Sequence, residues 1–87
     1  MNPKSNALAV IRSNQREEIH KVFNAWIDEG ATDDEFAQYC SLRNKVAPGK
    51  PCSVVTVVRA CASDRAYLSM MPQSLRLRLQ KEGLLPD

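Results

Sequence analysis

The chain has one histidine, three glycines and three cysteines among its 87 residues, and each scarcity closes a route. Any histidine-assisted mechanism rests on His20 alone, and no nucleophile with an orienting partner stands near it in sequence. Between Ile19 and Lys21 it reads as an ordinary histidine on a helix surface. Glycine is too sparse for a phosphate loop: Ala47-Pro48-Gly49-Lys50-Pro51 holds one glycine and lacks the GxxxxGK[ST] spacing. Cys40, Cys52 and Cys61 include no CxxC pair. An odd, unpaired set suits free thiols in a reducing compartment, which makes the cytoplasm the expected location. Together with His20 they would supply a Cys3His donor set for zinc, but no close pair anchors it. Neither a metal nor another cofactor is expected.

Long apolar runs are also missing. The patch Ala7–Ile11 is too short for a signal core, and nothing approaches the roughly 18 apolar residues of a membrane span, so no membrane association is expected. Aromatics are limited to Phe23, Trp26, Phe36, Tyr39 and Tyr67, which leaves the core mainly to aliphatic side chains. What remains, 44% hydrophobic and 25% charged residues, is the mixture of a folded globule rather than a disordered chain. Residues 1–87 read as one domain with a polar, flexible start over 1–6. A chain of this size often gains stability by pairing, and a homodimer is expected.

The punctuation predicts an all-α fold, a compact bundle of four to five short helices with little or no strand. Asn14 with Glu17 resembles a capping box, Ile19, Val22, Phe23, Trp26 and Ile27 follow at helical spacing, and Gly30 ends the run. Thr32 with Glu35 is a second capping box, with Asp33 and Asp34 in the first turn and Arg43 and Lys45 in the last, as the helix dipole favours. These carboxylates, like Glu17 and Glu18, are accounted for by helix starts, so no catalytic pair and no enzyme is expected. The stretch Cys52–Cys61 is ambiguous: its valines favour a strand by propensity. A lone strand has nothing to pair with in a helical domain, and a buried helix, apolar nearly all round, is the better fit. Ser63-Asp64 opens a short helix through Leu68. Pro72–Glu82 is a helix closed by Gly83, with Met71, Leu75 and Leu79 on its inner face and Leu77 nearly opposite.

Charge is unevenly divided. Residues 1–40 carry a net −3 and residues 41–87 a net +5. Such asymmetry marks either a nucleic-acid face or two surfaces that attract each other in a dimer. The segment SDRAYLSMMPQSLRLRLQKEGLL resembles the second and third helices of helix-turn-helix DNA-binding domains, over about a quarter of the chain. It departs from that family at the turn, where Met70 and Met71 replace the usual small residue and glycine. The resemblance implies a small, non-enzymatic DNA-binding regulator of transcription. Gln73, Ser74, Arg76 and Lys81 would occupy outward recognition positions, with Arg59, Arg65 and Arg78 around them. Glutamine and arginine suit base edges, and the cations suit phosphates.

A second class of function fits other residues. The acidic group Asp28, Glu29, Asp33 and Asp34, together with an outward Leu77, suits a small helical module that binds another protein as an inhibitor or adaptor. The apolar Ala7–Ile11 patch and the adaptable Met70-Met71 pair point the same way.

Overall fold

The computed structural model describes the backbone of residues 3–86 and the side chains of 15–86. Five helices follow in chain order: α1 (Pro3–Asp28), α2 (Asp33–Val46), α3 (Val54–Ser63), α4 (Arg65–Met70) and α5 (Gln73–Lys81). No strand occurs among the described residues, and the all-α expectation holds.

Each boundary has a local cause. α1 and α5 end in the same Schellman geometry. Gly30 (φ 113°) lets Ala31 N–H reach the Trp26 carbonyl at 3.1 Å, and Gly83 (φ 73°) lets Leu84 N–H reach Leu79 at 2.8 Å. α2 starts with a full capping box: Thr32 Oγ1 accepts from Glu35 N–H at 3.1 Å, and Glu35 Oε1 accepts from Thr32 N–H at 3.0 Å. Ser53 caps α3 by accepting from Thr56 N–H at 3.2 Å, which commits the valine-rich stretch to helix. Asp64 is extended and serves twice, ending α3 and capping α4 through a 2.8 Å bond from Ala66 N–H. Met71, also extended as a residue before proline tends to be, leaves only Met71-Pro72 between α4 and α5.

Three expectations need correction. α1 is a long helix of 26 residues, not one that starts at Asn14. Serine and asparagine inside a helix each cost only about 0.5 kcal/mol relative to alanine, and no glycine or proline stands between Lys4 and Glu29 to stop it. Of the start expected to be flexible, residues 3–6 belong to the α1 backbone and residues 1 and 2 lie outside the described residues. The side chains of Ala7–Ile11 lie outside them too. α3 is two-faced rather than apolar all round: Val55, Val57, Val58 and Cys61 are buried, while Thr56, Arg59 and Ser63 are exposed. Finally, α4 continues through Met70, past the turn expected at Ser69-Met70-Met71.

α3 lies at the centre, touching α1, α2 and α4, while α5 is seated on α1. α1 and α3 run antiparallel, since Val54 sits beside Phe23 and Ile27 whereas Ala62 sits beside Gln15 and Ile19. Trp26, Tyr39, Leu42, Val57, Val58, Leu75 and Leu79 form the core, with each buried side chain contributing about 1.5–3 kcal/mol. Phe23 stacks at 4.9 Å from Tyr39 and 5.7 Å from Trp26. Burial pushes the Tyr39 hydroxyl up to about 12.

One polar relay runs from this core to the surface. Trp26 Nε1–H donates to Ser74 Oγ at 2.8 Å, the Ser74 hydroxyl donates to Glu35 Oε2, and Glu35 closes on the Thr32 cap. It links α1, α5 and α2. Ser74→Ala strands the indole N–H, and a loss of about 1–3 kcal/mol is expected from urea unfolding, with the midpoint shifted and the slope unchanged. The Ser74 hydroxyl, with help from Thr32, holds the Glu35 carboxyl below its ordinary value of 4.5. Because the folded-state value is depressed, the stabilisation is complete above that ordinary value and lost as pH falls below it. Glu35→Gln should therefore flatten the acid limb of the stability curve, measured by thermal unfolding against pH.

Candidate functional site

At the C-terminal end of α3 two clefts meet at Ala62. The larger, about 590 Å³, runs between the α3–α4 corner and α5 and is lined by Ser63, Arg65, Leu68, Arg76 and Gln80. The smaller, about 150 Å³, lies between α1 and α3 and is lined by Arg16, Ile19, Val58, Arg59 and Leu84. Arg16, Arg59 and Arg65 are exposed and Arg76 is half-buried. Among the described residues no carboxylate lines either cleft. Asp64, next in sequence, turns its carboxylate onto Ala66 N–H as the α4 cap. The result is a face of four arginines. Its Arg76 Nε is buried with no hydrogen-bond partner among the described residues.

Comparison with protein-family models, curated proteins and solved structures finds no match to this chain.

The residues that the helix-turn-helix resemblance placed on one outward surface are divided among four environments. Arg59, Arg65 and Arg76 gather on the arginine face. Ser74 does not point outward, because its hydroxyl is engaged by Trp26 and Glu35. Arg78 donates to Glu29 Oε2 at 2.7 Å and, with Lys81, borders a seam between α1 and α5 that also holds Glu18, Lys21 and Glu82. In that seam Lys21 and Glu18 approach to 3.6 Å, so cations and carboxylates alternate there. Gln73 and Lys81 remain exposed. The physical reason is the seating of the two helices: α4 rests on α2 and α3, whereas α5 rests on α1.

Arg16 was not among the expected residues. It belongs to the acidic half of the chain by position, and only the antiparallel packing of α1 on α3 brings it to Arg59. No linear signal marks that pairing.

A second surface lies at the opposite end of α3. α1 and α2 diverge from their connecting turn and leave an open groove of about 520 Å³ lined by Phe23, Ile27, Phe36 and Val54, with Asp28 and Arg43 at its edges. Ile27 is 38% and Phe36 42% exposed, large values for apolar side chains standing together. Of the residues expected to meet a protein partner, Asp28 borders this groove, and Asp33 and Asp34 stand exposed in the adjoining first turn of α2. Glu29 is committed to Arg78. Leu77, 53% exposed, projects from α5, which lies along the α1 face of Val22 and Ala25 rather than that of Phe23 and Ile27. These residues therefore form two surfaces.

Among the described residues no group of three or more His, Cys, Asp or Glu side chains comes together to hold a metal, and no helix is long and apolar enough to cross a membrane. The three thiols are free. Cys61 is buried, which pushes its thiol up to about 11. In a native thiol titration Cys40 and Cys52, both half-buried, should react first, with Cys61 reacting only at the rate of unfolding.

Proposed function

We propose that this chain is a small DNA-binding domain that works without chemistry. It holds duplex phosphates on the face of Arg16, Arg59, Arg65 and Arg76 instead of inserting α5 as a free recognition helix. The observation that supports this reading is the junction of two clefts at Ala62 with four arginines and no described carboxylate in their walls. Arginines lining adjoining clefts without a carboxylate among them make a surface that attracts phosphate. Arginine's planar fork suits phosphate oxygens. Gln73, exposed in the first turn of α5, is the residue left free to reach a base edge. A role in transcription belongs to the same proposal.

Fluorescence anisotropy on a labelled duplex across a salt series tests it. Four phosphate contacts give a slope of log affinity against log salt of about −3 to −4. Arg59→Ala with Arg65→Ala should reduce that slope by about 2, while Arg78→Ala with Lys81→Ala, outside the face, should leave it nearly unchanged. No salt-sensitive binding by the natural chain, or an unchanged slope in the first variant, would sink the reading.

The groove between α1 and α2 favours a second reading, a module that binds protein through Phe23, Ile27 and Phe36 beside Asp28 and Asp33. Its signature is an interaction abolished by Ile27→Asp with Phe36→Asp and indifferent to the arginine substitutions.

A further inference from the structure

The groove between α1 and α2 has a direction as well as an apolar floor. At the end nearest the connecting turn stand Asp28 and, one helical turn before Phe36 on the same side of α2, Asp33. At the other end stands Arg43, two turns beyond Phe36 and about 10 Å further along the helix axis. Phe23, Ile27 and Phe36 occupy the middle, and the latter two are exposed. Among the described residues neither Asp28, Asp33 nor Arg43 forms an ion pair, although other charges of this chain do.

Acid, apolar centre, base: this order is self-complementary under a two-fold rotation. Turning a second copy by half a turn about an axis through the groove centre lays its Arg43 over Asp28 and its Asp28 over Arg43. It also lays the apolar floor of one copy, with Phe23 and Phe36, against that of the other. An isologous interface requires this self-complementarity of a single patch. We propose that the groove is a homodimer interface, with a second copy of this chain as its occupant. The arginine face lies at the far end of α3 from the groove, so each protomer of such a pair keeps it uncovered. Pairing through the groove does not depend on what that face binds.

The symmetry permits a test that no other occupant would pass. In the natural chain, sedimentation velocity over a concentration series should show a monomer–dimer equilibrium. Asp28→Arg places two arginines opposite each other twice in the pair, and Arg43→Asp does the same with two aspartates. Each variant alone should dimerise at least about tenfold more weakly. Mixed together, the two variants restore opposite charges at both contacts and should form a heterodimer of near-natural affinity. Far-UV circular dichroism confirms that each single variant remains folded. A natural chain that stays monomeric at every concentration overturns the proposal and leaves the groove to a different protein. Single variants that dimerise as well as the natural chain, or a mixture that fails to pair, overturn it equally.

Discussion

The indole N–H of Trp26 is the constraint around which this fold is arranged. Trp26 is 2% exposed, so its donor must find a partner inside the protein, and Ser74 from α5 supplies it at 2.8 Å. Ser74 then needs an acceptor, which Glu35 provides, and Glu35 is held in place by the capping box it shares with Thr32. The C-terminal helix α5 is thereby tied to both α1 and α2 by a chain of hydrogen bonds in which each member satisfies the next. Fixing α5 on α1 in this way also decides what α5 can offer the outside. Its serine is consumed, its Arg78 is drawn to Glu29, and its outer side presents Gln73, Leu77 and Lys81.

The two surfaces discussed for function follow from how α3 is laid across the core. Its antiparallel run along α1 puts Val54 among the aromatics near the α1–α2 turn and Ala62 beside Arg16. The apolar groove and the arginine face are therefore the two ends of one helix. This arrangement separates the apolar groove from the charged clefts. It allows a pair of protomers to join at one end while both arginine faces remain open.

Much of the architecture was legible because helix ends are local events. Thr32 with Glu35, Ser53, Asp64, Gly30 and Gly83 all act at the positions their chemistry suggests, and the Met71, Leu75, Leu79 face is buried as the spacing predicts. The alternation in Leu75–Leu79 belongs to a helix, with Leu77 left outside. The start of α1 was misread because Ser13-Asn14 carries the residues of a cap without the break in helix that a cap requires. The site was less legible for a different reason. Ser74 has the composition of a recognition residue, and only the indole 48 positions away shows that its hydroxyl is used inside. Arg16 fell within an acidic stretch, and the charge of a segment says nothing about which neighbour packing will give it.

In the proposed function DNA meets the arginine face and not the outer side of α5. Amide chemical-shift mapping by two-dimensional NMR during titration with a short duplex addresses it directly. The largest changes should cluster at Arg16, Arg59, Ala62, Arg65 and Arg76 and fade with added salt. Changes centred instead on Leu77, Arg78 and Lys81, or none at any residue, would contradict it.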